Sequence, residues 1–193
     1  MNVHNIDKNL EFSKGKEFLR ARIRKFYELV FCGLEDIEQP SYELYGKERE
    51  KQGIDTEVYY HDCRYKIQEK IRSHKYWNNR NKDLYIELKN EWRGGDGWFE
   101  KYKGNIDFIG YFFTKDIEYN EIYFVLYNKY FFNIIQTCID TKSVIYPNAH
   151  LQTNNNGIDG GKTSGCIVKQ EQIKAAEVAR YVFYKNAFFR IIK

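Results

Sequence analysis

Gly53 to Lys70 reads GIDTEVYYHDCRYKIQEK. Two runs of β-branched and aromatic residues flank His61 and Asp62, which predicts two short strands joined by a tight turn. A two-residue turn sets Tyr60 opposite Cys63, and counting back sets Asp55 opposite Gln68. Because side chains alternate along a strand, Asp55, Gln68 and Lys70 should share one face, with Ile54, Val58, Ile67 and Ile71 on the other. One face is apolar; the other carries an acid, an amide and an amine.

Metal-assisted phosphodiester hydrolysis uses these groups. A carboxylate and a carbonyl oxygen can hold Mg²⁺, which binds a phosphate oxygen and lowers the pKa of a bound water. A neighbouring lysine can orient that water and offset charge developing on phosphorus. An isolated Asp, a hairpin, and an acid or Gln two residues before Lys together resemble the PD-(D/E)XK nuclease superfamily. The run from Gly53 through Gln68-Glu69-Lys70, then Tyr85-Ile86-Glu87-Leu88, Gly97-Trp98 and Ile106-Asp107-Phe108, resembles small uncharacterised phage or mobile-element nuclease-like proteins within it.

The resemblance spans roughly residues 48 to 113. It implies a restriction-endonuclease-like fold and a Mg²⁺- or Mn²⁺-dependent nuclease acting on DNA. Asp55 would be the principal metal ligand, Gln68 an amide ligand and Lys70 the group that orients water. Gln68 stands where the pattern has Asp or Glu, and a neutral amide binds Mg²⁺ more weakly than a carboxylate. Either another acid compensates, or the chain is a catalytically inactive nuclease-like fold that binds nucleic acid or a partner protein. Glu69 and Glu87 are the available acids. Parity turns Glu69 toward Ile67 and Ile71, where a carboxylate is costly unless paired. Glu87 lies on a following strand whose Leu84, Ile86 and Leu88 take one face, so it is the favoured supplementary acid; a bulge at the hairpin would reverse that choice.

The 193 residues suit one domain of α/β class, a mixed sheet of about five strands flanked by helices, with residues 1–12 a polar arm. Formal charge is +4, weak support for a polyanionic partner. Seventeen Tyr and 14 Phe supply rings for core or base stacking, and composition alone does not apportion them. Cys32, Cys63, Cys138 and Cys166 are widely spaced, which disfavours a zinc ribbon or redox dithiol and suits a reducing cytoplasm. No apolar run reaches the ~18 residues of a membrane-spanning helix.

Leu19, Ile23, Phe26 and Val30 recur at helical spacing, predicting a helix from about Lys14 to Phe31 with Ser13 as its cap. Lys16, Arg20 and Arg24 stack on another face, as a solvated stripe or as a rail for phosphates. Arg72, Lys75 and Arg80, interleaved with Tyr76 and Trp77, suit either a nucleic-acid contact or a solvated hairpin loop. Strands are expected over Asp83 to Trp92, Ile106 to Phe113, Glu121 to Leu126 and Ser164 to Lys169. Helices are expected up to Asp140 and from Gln170 to Asn186, the last on Ala175, Val178, Ala179 and Val182. Gly161-Lys162-Thr163 imitates a phosphate-binding loop but lacks its leading glycine, which is Asn156 here, and no buried strand leads into it.

Overall fold

The computed structural model describes residues 3–32, 36–38, 53–72, 77–78, 83–90, 95–116, 118–146 and 163–192, with backbone alone for 3–16, 36–38 and 163. Helix α1 (Val3–Val30) opens the chain. It is followed by β1 (Asp36–Glu38), β2 (Thr56–Tyr60), β3 (Cys63–Arg72), β4 (Asp83–Asn90), β5 (Gly95–Asp96) and helix α2 (Trp98–Tyr102). Then come β6 (Phe108–Thr114), β7 (Ile122–Asn128), helix α3 (Tyr130–Asp140), β8 (Thr163–Lys169), β9 (Glu177–Tyr184) and β10 (Ala187–Arg190).

The expected α/β architecture with a mixed sheet is present. The main sheet runs β1-β2-β3-β6-β7-β9-β10, six strands plus the three-residue β1 and hence more than the expected five. A second sheet runs β5-β4-β8. Within the main sheet β3 and β6 are parallel, and the chain between them supplies β4, β5 and α2. A parallel pair cannot be closed by a tight turn, so this crossover carries a separate layer over the sheet.

The β2–β3 hairpin follows the expected register, with Tyr60 paired to Cys63 and Thr56 to Ile67. His61 and Asp62 sit at φ 49° and 58°. Two consecutive left-handed residues form the turn whose twist matches a two-residue hairpin.

α1 covers one face of the main sheet. Its Leu19, Ile23, Phe26 and Tyr27 pack with Val58, Ile67, Phe112, Phe124 and Leu126. Phe26 lies 5.0 Å from the Phe124 ring and 5.7 Å from Tyr181, so many of the chain's rings are spent in core contacts. The second sheet and α3 cover the other face, bringing Leu84, Ile86, Phe131, Ile135, Cys166 and Val168 onto Ile109, Tyr111 and Val125. β7 is covered on both sides and is buried from Ile122 to Tyr127, which explains its continuous apolar run.

Four expectations need correction. Residues 3–12 belong to α1 rather than to an arm. Ile54 precedes the first hydrogen-bonded residue of β2 and packs on the second-sheet side, away from Val58 and Ile67. β4 lies in the second sheet instead of extending the first. The closing helix is absent: after a 3-10 turn at Lys174–Ala176 the chain forms the β9–β10 hairpin. Tyr181, Val182, Phe183, Phe188 and Phe189 favour strands, and Lys185-Asn186, at φ 49° and 62°, make the turn.

Candidate functional site

The hairpin register brings Asp55 and Gln68 together. Asp55 N–H donates to the Ile67 carbonyl at 2.9 Å, extending the β2–β3 ladder by one residue. Gln68 Nε2 donates to Asp55 Oδ2, which also accepts the Glu69 backbone N–H at 2.7 Å. Just before Asp55 the chain turns at Gly53, φ 76°, where a Cβ would fall 2.4 Å from the Tyr102 ring. Only glycine suits both that backbone conformation and that approach.

Lys70 lies two residues beyond Gln68 on the same face. Its Nζ sits 4.7 Å from the centre of the Trp98 ring. Burial pulls its pKa down to about 8; the charges of Asp55 and Glu87 oppose the shift, while that of Arg72 adds to it. Both predicted acids therefore act on this lysine. Glu87 is half-buried, and burial raises its pKa while Lys70, Arg72 and the Trp98 backbone N–H restrain the rise. Gly97 permits this junction, because its N–H reaches the Leu88 carbonyl at 2.8 Å. A Cβ there would lie 2.4 Å from the Glu87 carbonyl oxygen.

Glu69 occupies the opposite face, as parity predicts, and it is paired. Its Oε1 accepts from Thr56 Oγ1 at 2.6 Å and from the Tyr27 hydroxyl at 3.0 Å. Burial, then the charge of Asp55, pushes its pKa up to about 7; the two hydrogen bonds and Arg20 restrain it. The phenol of Tyr27 is pushed well up, first by burial and then by Glu69. Tyr27 and Thr56 were not singled out in the sequence. Thr56 follows Asp55 directly and is legible from the hairpin register, whereas Tyr27, 42 residues from Glu69, carried no local signal.

The basic residues separate. Arg72, expected among the nucleic-acid contacts, instead donates its Nη2 to the Tyr85 carbonyl at 3.0 Å, and its guanidinium stands 5.8 Å from the Tyr111 ring centre. It joins the two sheets, because the crossover brings β4 over the end of β3. Arg20 and Arg24 are exposed on α1, with Arg24 3.6 Å from Glu28. The side chain of Lys16, and the whole of Lys75 and Arg80, lie outside the described residues, as does the loop ending at Lys162.

Asp55 and Gln68 offer oxygen atoms of the kind that a hard divalent cation takes. Gln68 is 5% exposed, and its Oε1 is enclosed without a hydrogen-bond partner among the described residues. A buried acceptor left unpaired is unfavourable, and a cation or its bound water would satisfy it. Among the described residues no group of three or more His, Cys, Asp or Glu gathers as a metal site. Asp55 and Gln68 are in contact, Glu87 reaches the same neighbourhood through its charge on Lys70, and all three carry oxygen donors of the kind that Mg²⁺ takes. Among the described residues no helix is long and apolar enough to cross a membrane. No family model, curated protein or solved structure matches the chain.

Proposed function

We propose that the chain is a Mg²⁺-dependent nuclease of PD-(D/E)XK type that hydrolyses phosphodiester bonds of DNA in the cytoplasm. The observation that carries this reading is the contact of Asp55 with Gln68, on the face where Lys70 sits in the field of both Asp55 and Glu87. Bound Mg²⁺, or Mn²⁺ in its place, would supply a Lewis acid for a phosphate oxygen and a more acidic water. Asp55 and Gln68 would hold it, with Glu87 adding charge. Lys70, steadied over Trp98, would orient the attacking water and offset charge on the phosphorane-like transition state. Exposed Arg20 and Arg24 would meet the phosphate backbone. The four cysteines are free, two of them exposed, as suits a reducing compartment.

A second reading, a nuclease-like fold that binds nucleic acid or a partner protein without cleavage, draws on one observation. Gln68 turns its donor nitrogen, rather than its oxygen, toward Asp55. Gln68→Glu separates the two. It sets a second carboxylate against Asp55, so a metal-free variant should melt below wild type. In a working site Mg²⁺ should restore its melting temperature and preserve or raise cleavage. Lys70→Ala should remove most cleavage while sparing DNA binding, since that group acts on the transition state. A Gln68→Glu variant that Mg²⁺ neither stabilises nor activates would favour the non-catalytic reading.

A further inference from the structure

A second candidate site lies at the other edge of the main sheet, where α1 meets the β9–β10 hairpin. β9 is three strand spacings from β3, about 14 Å, and belongs to no part of the proposed nuclease centre. Phe18, Ala21, Arg22, Lys25 and Leu29 of α1 line an open groove of about 530 Å³ with Phe183, Asn186 and Phe188. That size lies within the range of small-molecule sites.

The groove's chemistry is asymmetric. Its charged lining residues are Arg22 and Lys25, both cations. Lys25 stands exposed and shares its charge with Glu28 at 2.9 Å. Arg22 is set deeper, with its guanidinium 4.5 Å from the Phe183 ring centre and 5.4 Å from that of Phe18. Its Nε and Nη1 are enclosed and have no acceptor among the described residues. An arginine keeps its charge and donates only, so this arrangement lacks an anion. Burial lowers the guanidinium's pKa from its ordinary value, opposed by Asp116 from the adjoining groove. Asp116 Oδ1 itself is committed to the backbone N–H groups of Glu118 and Asn120.

The walls are apolar. Phe18 is 62% exposed and Leu29 38%, so both present hydrocarbon to whatever enters. Of the two rings over the Arg22 guanidinium, Phe18 is the farther, at 5.4 Å, and the more exposed.

We propose that this groove binds a small amphipathic carboxylate, its head group accepting from Arg22 with Lys25 at the rim and its hydrocarbon body lying along Phe18, Leu29 and Phe188. A purely apolar ligand would leave Arg22 unpaired, and a bare anion would leave the walls wet. Neither half of the lining suffices alone.

Sodium decanoate below its self-association concentration is the probe, titrated calorimetrically into the full chain. Wild type should show saturable binding at one site and a rise in melting temperature. Acetate and decanol at equal concentration should bind at least about tenfold more weakly, because acetate has no hydrocarbon body for the walls and decanol no charge for Arg22. Arg22→Met, which keeps the stem and removes the charge, should lose about tenfold or more in affinity with unchanged circular dichroism. Arg22→Lys should retain part of it. Phe18→Ala, at an exposed position, removes part of the apolar wall and should weaken decanoate binding while leaving acetate unaffected. The proposal is overturned by absent saturable binding, by decanol binding as well as decanoate, or by Arg22→Met binding like wild type.

Discussion

Glu69→Gln tests the electrostatics around the hairpin most sharply. In the folded chain the Glu69 carboxyl faces Tyr27 and Thr56, with the charges of Asp55 and Arg20 nearby, and its pKa rises from 4.5 to about 7. The folded state therefore holds this proton more tightly than the unfolded state does. Its stabilising contribution is fully present below about pH 4.5 and is lost as pH rises toward 7. At about 1.4 kcal/mol per pKa unit the full effect is roughly 3 kcal/mol. Glu69 keeps partial exposure, and solvent screening brings the expectation to about 2 kcal/mol. Glutamine imitates the protonated acid: it still accepts from Thr56 and Tyr27 and has no charge to bury. Urea unfolding of metal-free protein should then show wild type and Glu69→Gln nearly equal at about pH 4.5, with the variant about 2 kcal/mol more stable at about pH 8. Parallel stability profiles for the two proteins would refute the reasoning.

Other perturbations have signs set by the structure. Arg180 is 3% exposed and bonded to Glu177, Tyr123 and Gln170, so Glu177→Ala strands a buried charge and should cost about 3–5 kcal/mol by chemical denaturation. Lys185→Pro cannot adopt φ 49° and should destabilise the β9–β10 hairpin, read as faster amide exchange over Glu177–Arg190; a helix in that segment would predict no hairpin-specific change. If Arg20 and Arg24 neutralise phosphates, replacing both with Ala should lower the slope of log K against log salt by about 0.9 for each phosphate no longer neutralised, measured by fluorescence anisotropy on duplex DNA.

How much of this was legible from sequence depends on the range of the interactions involved. The hairpin was legible because a period of two and a turn pair fix register locally, and the Asp55–Gln68 contact followed from counting. α3 was legible because Phe131, Ile135 and Cys138 recur at helical spacing and are buried as a stripe. Ile54 was misplaced because alternation holds only inside the ladder, and the chain bends at Asp55. The β9–β10 hairpin was missed because Ala175, Val178, Ala179 and Val182 satisfy a helical period in a segment whose aromatic content favours strand. The second sheet had no local signature: β4 pairs with β8, Ile86 opposite Cys166, across a separation no short window reports. That same pairing brings the Glu87 strand over Lys70 and diverts Arg72 from solvent to the Tyr85 carbonyl.

The most direct test of the nuclease reading is conversion of supercoiled plasmid to nicked and linear forms by the full chain, in Mg²⁺ or in chelator, with Asp55→Ala as the blank. Asp55 is the carboxylate to which Gln68 and the Glu69 N–H converge, and in the proposed nuclease it is the principal ligand, so its loss should abolish Mg²⁺-dependent cleavage. Wild type should nick the plasmid only when Mg²⁺ is present, and Asp55→Ala should show no nicking above background. Equal traces for the two proteins in Mg²⁺ would contradict the nuclease reading.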